Sequence, residues 1–107
     1  MSTSSAIEPP RQLAELFQEL AKRWRAETLY LSSSTEIAMH PAYQRIIGLG
    51  PAVLPLILAE LERQPDHWFW ALHALTGADP VPPEGRGKLP IMTRAWLEWG
   101  RENGLLP

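Results

Sequence analysis

A chain of 107 residues is enough for one domain, and a domain of that size buries roughly two thirds of the surface its unfolded chain exposes. A hydrophobic share of 45% and a charged share of 21% are ordinary for a globular protein, and a net charge of −2 gives no global attraction to nucleic acid or anionic lipid. The absence of cysteine excludes disulfides, thiolate chemistry and zinc sites with cysteine ligands.

No apolar run approaches the roughly 20 residues needed to span a bilayer, so no membrane association is expected. The opening MSTSSAIEPP lacks the basic start and apolar centre of a signal peptide. Residues 1–9 are expected to be a disordered lead-in, residues 10–107 a single helical domain, and the location cytoplasmic.

Pro9-Pro10 opens a first helix from about Arg11 to at least Glu27. Leu13, Leu16, Phe17, Leu20, Ala21 and Trp24 form one apolar stripe at helical period, and Thr28 and Leu31 would extend it. Glu15, Glu19, Lys22 and Arg23 lie opposite, and their mixed signs do not suit a membrane-surface helix. Ser33 followed by Glu36 fits the capping box of a second, short helix. Pro41 ends that helix by disfavouring helical backbone at His40, then begins another short one with Tyr43, Ile46 and Ile47 on one side.

The segment from Gly50 to Gly77, GPAVLPLILAELERQPDHWFWALHALTG, predicts two helices folded back on each other. Val53, Leu54, Ile57, Leu58 and Leu61 make the stripe of the first arm, with Glu60, Glu62 and Arg63 near its exposed end. Pro55 lies inside this arm and should bend it. Pro65 breaks the run, and Asp66 is placed to cap the second arm. There Trp68, Ala71, Leu72 and Leu75 share a stripe while Phe69 and Trp70 lie off it. An arm apolar nearly all round is expected to be buried between two layers.

This segment resembles a single HEAT-type helical hairpin: a glycine entry, a proline in the first helix, an Asp-led turn, and a second helix ending Ala-Leu-x-Gly. It departs from the family at Trp68-Phe69, where such repeats commonly carry Val-Arg. No second copy stands at a period of roughly 35–45 residues, although His40 to Gly48 could be a truncated second helix of a preceding unit, and repeat arrays need about three units. The resemblance therefore implies a compact bundle containing one HEAT-like hairpin. The longer run from HPAYQRIIGLG through WLEWG resembles a group of small uncharacterised bacterial proteins, which implies no activity.

ADPVPPEGRGK, from Ala78 to Lys88, predicts a loop long enough to be functional. Pro90 starts the last helix, with Met92, Ala95, Trp96 and Trp99 on one face and Asn103-Gly104 as its cap. The fold class is all-α, a compact bundle of five or six helices.

Catalytic convergence is hard to find. His67 and His73 are six residues apart, which on a helix places them about 120° from each other. Asp66 reads as a cap and His67 as an exposed residue; His73 beside Phe69 and Trp70 reads as a partly buried polar group. Ser32 to Ser34 are helix-start residues without a nucleophile elbow. Gly85-Arg86-Gly87-Lys88 lacks the spacing of a P-loop. No cofactor or metal is implied.

The unusual feature is five tryptophans. Trp24, Trp68, Trp96 and Trp99 lie on apolar stripes and read as core, whereas Trp70 is poised between core and interface. The preferred reading is a non-enzymatic helical module that binds a protein partner, or itself, through the second arm and the Pro-rich loop. Its candidate contacts are His67, Trp70, His73 and Arg86. A bacterial adaptor, or the small member of a two-protein system such as an antitoxin or immunity factor, fits the size. The second reading is a nucleic-acid-binding domain using Lys22, Arg23, Arg25, Arg45 and Arg94, with Trp24 as a stacking aromatic. The third is an enzyme pairing His67 or His73 with Glu62 or Asp66.

Overall fold

In the computed structural model, which describes residues 10–107, the stripe predicted for the first helix faces inward along α1 (Arg11–Glu27). Phe17, Leu20, Ala21 and Trp24 are buried. The stripe does not run on past Thr28, because the helix stops there: the Thr28 hydroxyl donates to the Trp24 carbonyl at 2.7 Å. Leu31, expected to extend it, lies instead in the connection that follows, exposed alongside Leu29 and Tyr30.

Ser33 caps α2 (Ser34–Ala38) by accepting the Glu36 backbone N–H at 3.3 Å, half of the expected capping box. The Trp24 indole N–H donates to the Ile37 carbonyl at 2.9 Å and ties α2 to α1. His40 has a role the sequence did not suggest. Its Nδ1 accepts the Ala42 N–H at 3.0 Å and so caps α3 (Pro41–Gly48), while Nε2 lies 2.7 Å from Glu27 Oε1.

Gly50, at φ +88°, turns the chain into a 3-10 turn over Pro51–Val53 that leads into α4 (Leu54–Arg63). Pro55 therefore sits in the first turn of α4, where its missing N–H costs nothing, and not at an internal bend. Leu54, Ile57, Leu58 and Leu61 are buried as the pattern indicated. Glu60 corrects the sequence reading: it is 2% exposed, against an expected place at the open end of the arm.

Asp66 does not cap α5 (Phe69–Thr76), because the helix begins three residues beyond it and the Asp66 carboxylate takes the adjacent His67 N–H at 2.7 Å. Tyr43 from α3 organises this end. Its buried hydroxyl donates to the His67 carbonyl at 3.0 Å and accepts the Ala71 N–H at 2.9 Å, standing between two groups that a longer helix would pair directly. Burial pushes the phenol above its ordinary pKa, against the opposing bond from Ala71 and with a contribution from the charge of Asp66. Gly77 ends α5 at φ +71°.

α5 is not enclosed between two layers. Ala71 and Leu72 are buried, whereas Trp70 and His73 are exposed. In α6 (Leu89–Glu102) Thr93, Trp96 and Gly100 face inward, and a Cβ at Gly100 would stand 2.9 Å from Leu58 Cδ1, so that glycine sets the close approach of α4 and α6.

Six α-helices and no strand are present among the described residues, an all-α bundle of the expected class. The expectation for residues 1–9 lies outside them. α1 packs on α3, α3 on α5, and α4 on α6, while α4 and α5 touch each other less than either touches those neighbours. Where α1, α3 and α5 meet, Phe17, Trp24, Tyr43 and Trp68 form an aromatic cluster with ring centroids 4.5 to 5.8 Å apart.

Candidate functional site

Four of the five tryptophans are accounted for by packing: Trp24, Trp68 and Trp96 are buried, and Trp99 is half-buried with its ring 5.4 Å from that of Trp96. Trp70 remains 46% exposed. The reason is local. Trp68 packs into the aromatic cluster, and Ala71 and Leu72 are buried, so position 70 is carried to the opposite side of a two-turn helix.

The side that receives it is concave. A groove of about 570 Å³ runs between α5, α2, the Pro-rich loop and α6, within the range typical of small-molecule pockets. His67, Trp70, His73 and Arg86, the candidate contacts proposed from the sequence, all line it. Phe69, Val81, Leu89, Met92 and Trp96 supply apolar lining.

The loop is held against this groove by its own contacts. Val81 is buried, and a Cβ at Gly85 would collide with Ile91 Cγ2 at 2.3 Å, so the 3-10 turn at Pro83–Gly85 lies directly on α6. Arg86 Nη2 donates to Asp79 Oδ2 at 2.7 Å across the loop. The His73 Nδ1 pairs with the Ala78 carbonyl at 2.9 Å, which places the proton on Nδ1 and leaves Nε2 toward solvent. Asp79 was missed in the sequence, where a pairing across seven residues of a proline-rich loop has no periodic signature.

The carboxylates proposed for acid-base work are engaged elsewhere. Glu62 accepts from Arg101 at 2.5 Å. Asp66 takes the His67 backbone N–H and lies 3.5 Å from Arg25 Nε. Neither pairs with an imidazole, and no group of three potential metal ligands occurs among the described residues.

The basic residues have different surroundings. Arg25 is drawn inward: it donates to Glu60, faces Asp66, and sits 5.9 Å above the Trp68 ring. Lys22, Arg23 and Arg45 are exposed on α1 and α3. Arg94 is on α6, where it shares a shallow recess with Glu98 and Glu102. No single helix among the described residues is long and apolar enough to cross a membrane. Comparison with protein-family models, curated proteins and solved structures finds no match to this chain.

Proposed function

We propose that this chain is a non-enzymatic helical interaction module that recognises a protein surface through the groove between α5 and α6, with the HEAT-like reading of residues 50–77 retained for the segment that forms one wall. An adaptor, or the small partner in a bacterial two-protein system, is the biological setting we favour. The observation that carries the reading is Trp70, 46% exposed on a groove that it shares with Arg86. Tryptophan and arginine are the side chains that most often dominate interface energetics, and an indole left uncovered beside an apolar hollow is a site where association removes further surface from water. The groove's polar groups, two imidazoles and an Asp–Arg pair, sit at positions suited to orienting a partner.

A photo-crosslinking benzophenone side chain introduced at position 70, in the protein's native cells, is expected to give a discrete adduct with one polypeptide. The same group at Arg94 is expected to give none. Trp70→Ala should weaken the complex by about thirtyfold, equivalent to about 2 kcal/mol. No adduct at position 70, or the same diffuse products from both positions, would overturn the proposal.

A further inference from the structure

Large hydrophobic side chains that remain exposed are not scattered over the described residues. They are Leu29, Tyr30, Leu31, Met39, Trp70 and Leu89. Four belong to the segment from residue 29 to 39, and the other two lie on the groove. The segment and the groove are also neighbours along the chain: the connection carrying Leu29, Tyr30 and Leu31 leads within three residues into Ser34, and Ser34 and Ala38 form part of the groove wall.

Each surface has what the other lacks. The connection projects outward, with Leu29 74% and Tyr30 92% exposed, so it does not occupy the groove of its own chain. It is flanked by acidic residues: the Glu27 side chain is 54% exposed before it, and Glu36 is exposed after it. The groove offers an apolar floor, the Arg86 guanidinium with the Asp79 carboxylate it pairs with, and two imidazoles, of which His73 presents Nε2 as an acceptor. Arg86 uses one nitrogen on Asp79 and makes no other hydrogen bond to a described residue, and His67 and His73 line the same groove.

Resting on the reading of the groove as a protein-binding surface, we propose that its occupant is a second copy of this chain, with the Leu29–Leu31 connection of each copy seated in the groove of the other. Plug and socket lie close together in the chain, so a two-fold pair covers both at once and leaves neither open to a third copy. Tyr30 is the expected anchor, a rigid aromatic with a polar tip for the imidazoles. Glu27, whose Oε1 meets His40 Nε2, is expected to offer its other carboxylate oxygen to Arg86.

The test is sedimentation equilibrium of the full chain from micromolar to millimolar concentration. The mass is expected to rise from monomer to dimer. Tyr30→Ser should raise the midpoint concentration by about tenfold or more, with circular dichroism unchanged because its side chain is exposed. A capped peptide of residues 27–34 should dissociate the dimer and shift the tryptophan emission, and the same peptide with serine at position 30 should do neither. A monomer throughout the range, or a dimer indifferent to Tyr30→Ser, would overturn the proposal. A monomer whose position 70 still crosslinks to a different protein would remove the second copy as occupant while leaving the groove as an interface. A monomer silent at position 70 would remove both.

Discussion

Replacing Glu60 with alanine is expected to destabilise the fold by about 3 kcal/mol, because it strands a cation already drawn inward. The Glu60 carboxylate is 2% exposed and accepts from two guanidinium groups: Arg63 Nη2, at 2.6 and 2.7 Å, and Arg25. Arg25 is the partner that suffers, since its side chain is only 19% exposed and retains just Asp66 at 3.5 Å once Glu60 is gone. Arg63, 62% exposed, turns to water at little cost. Urea unfolding monitored by circular dichroism measures the loss. The double variant Arg25→Met, Glu60→Leu should recover most of it, since an apolar pair in place of a buried ion pair is commonly neutral or better.

The same carboxylate gives the fold an acid limit. Burial alone would raise its pKa, but the bonds from Arg63 and Arg25 and their charges outweigh that and hold it below the ordinary glutamate value. A depressed folded-state pKa contributes stability that is complete above the unfolded value of about 4.3 and is lost as the pH falls through the lower folded value. Wild-type stability is therefore expected to decline below about pH 4.3 more steeply than that of the double variant.

Trp68→Ala is expected to cost about 3–5 kcal/mol, the range for deleting a large aromatic from a packed core. Trp68 is fully buried and touches the rings of Phe17, Trp24 and Tyr43 at centroid distances of 5.6, 4.5 and 5.8 Å. Its removal opens a cavity where α1, α3 and α5 meet and takes away the ring beneath Arg25. Against a total stability of about 5–15 kcal/mol, such a loss leaves a marginal fold. Trp68→Phe should cost clearly less, since it keeps a ring in the cluster and gives up no hydrogen bond to a described residue. Thermal unfolding of the two variants side by side separates cavity formation from any effect of the indole nitrogen.

The helices were legible where local chemistry decides them. α1 declared itself through a continuous 3.6-residue stripe, α2 through Ser33, and the end of α5 through Gly77. What escaped depended on partners distant in the chain. Glu60 lies 35 residues from Arg25, and nothing in its neighbourhood distinguishes a buried ion pair from a solvated end of a helix. The start of α5 depends on a tyrosine hydroxyl 28 residues away, which no capping pattern around Asp66 reveals. The internal proline of the first arm was ambiguous for a related reason: Pro55 reads as a bend until the preceding 3-10 turn shows that the α-helix begins at Leu54.

The site was legible in its parts but not in its assembly. His67, Trp70, His73 and Arg86 were singled out by residue type, yet their shared groove depends on α6 and the Pro-rich loop closing the side of α5 that faces away from the cluster. An arm apolar on nearly every side carries no periodic signal of which side will stay open, so only packing could assign Trp70. Within the basic group, the inward commitment of Arg25 escaped notice for a related reason: its partner Glu60 lies 35 residues away.

Hydroxyl-radical footprinting tests the central claim most directly, that Trp70 is left uncovered by its own fold and is covered by association. In the dilute purified chain, Trp70 should oxidise readily while Trp24 and Trp68 stay inert. In the native cell, or at concentrations where a complex forms, Trp70 should become protected. Equal oxidation of Trp70 in both settings, or an inert Trp70 in the dilute monomer, would contradict it.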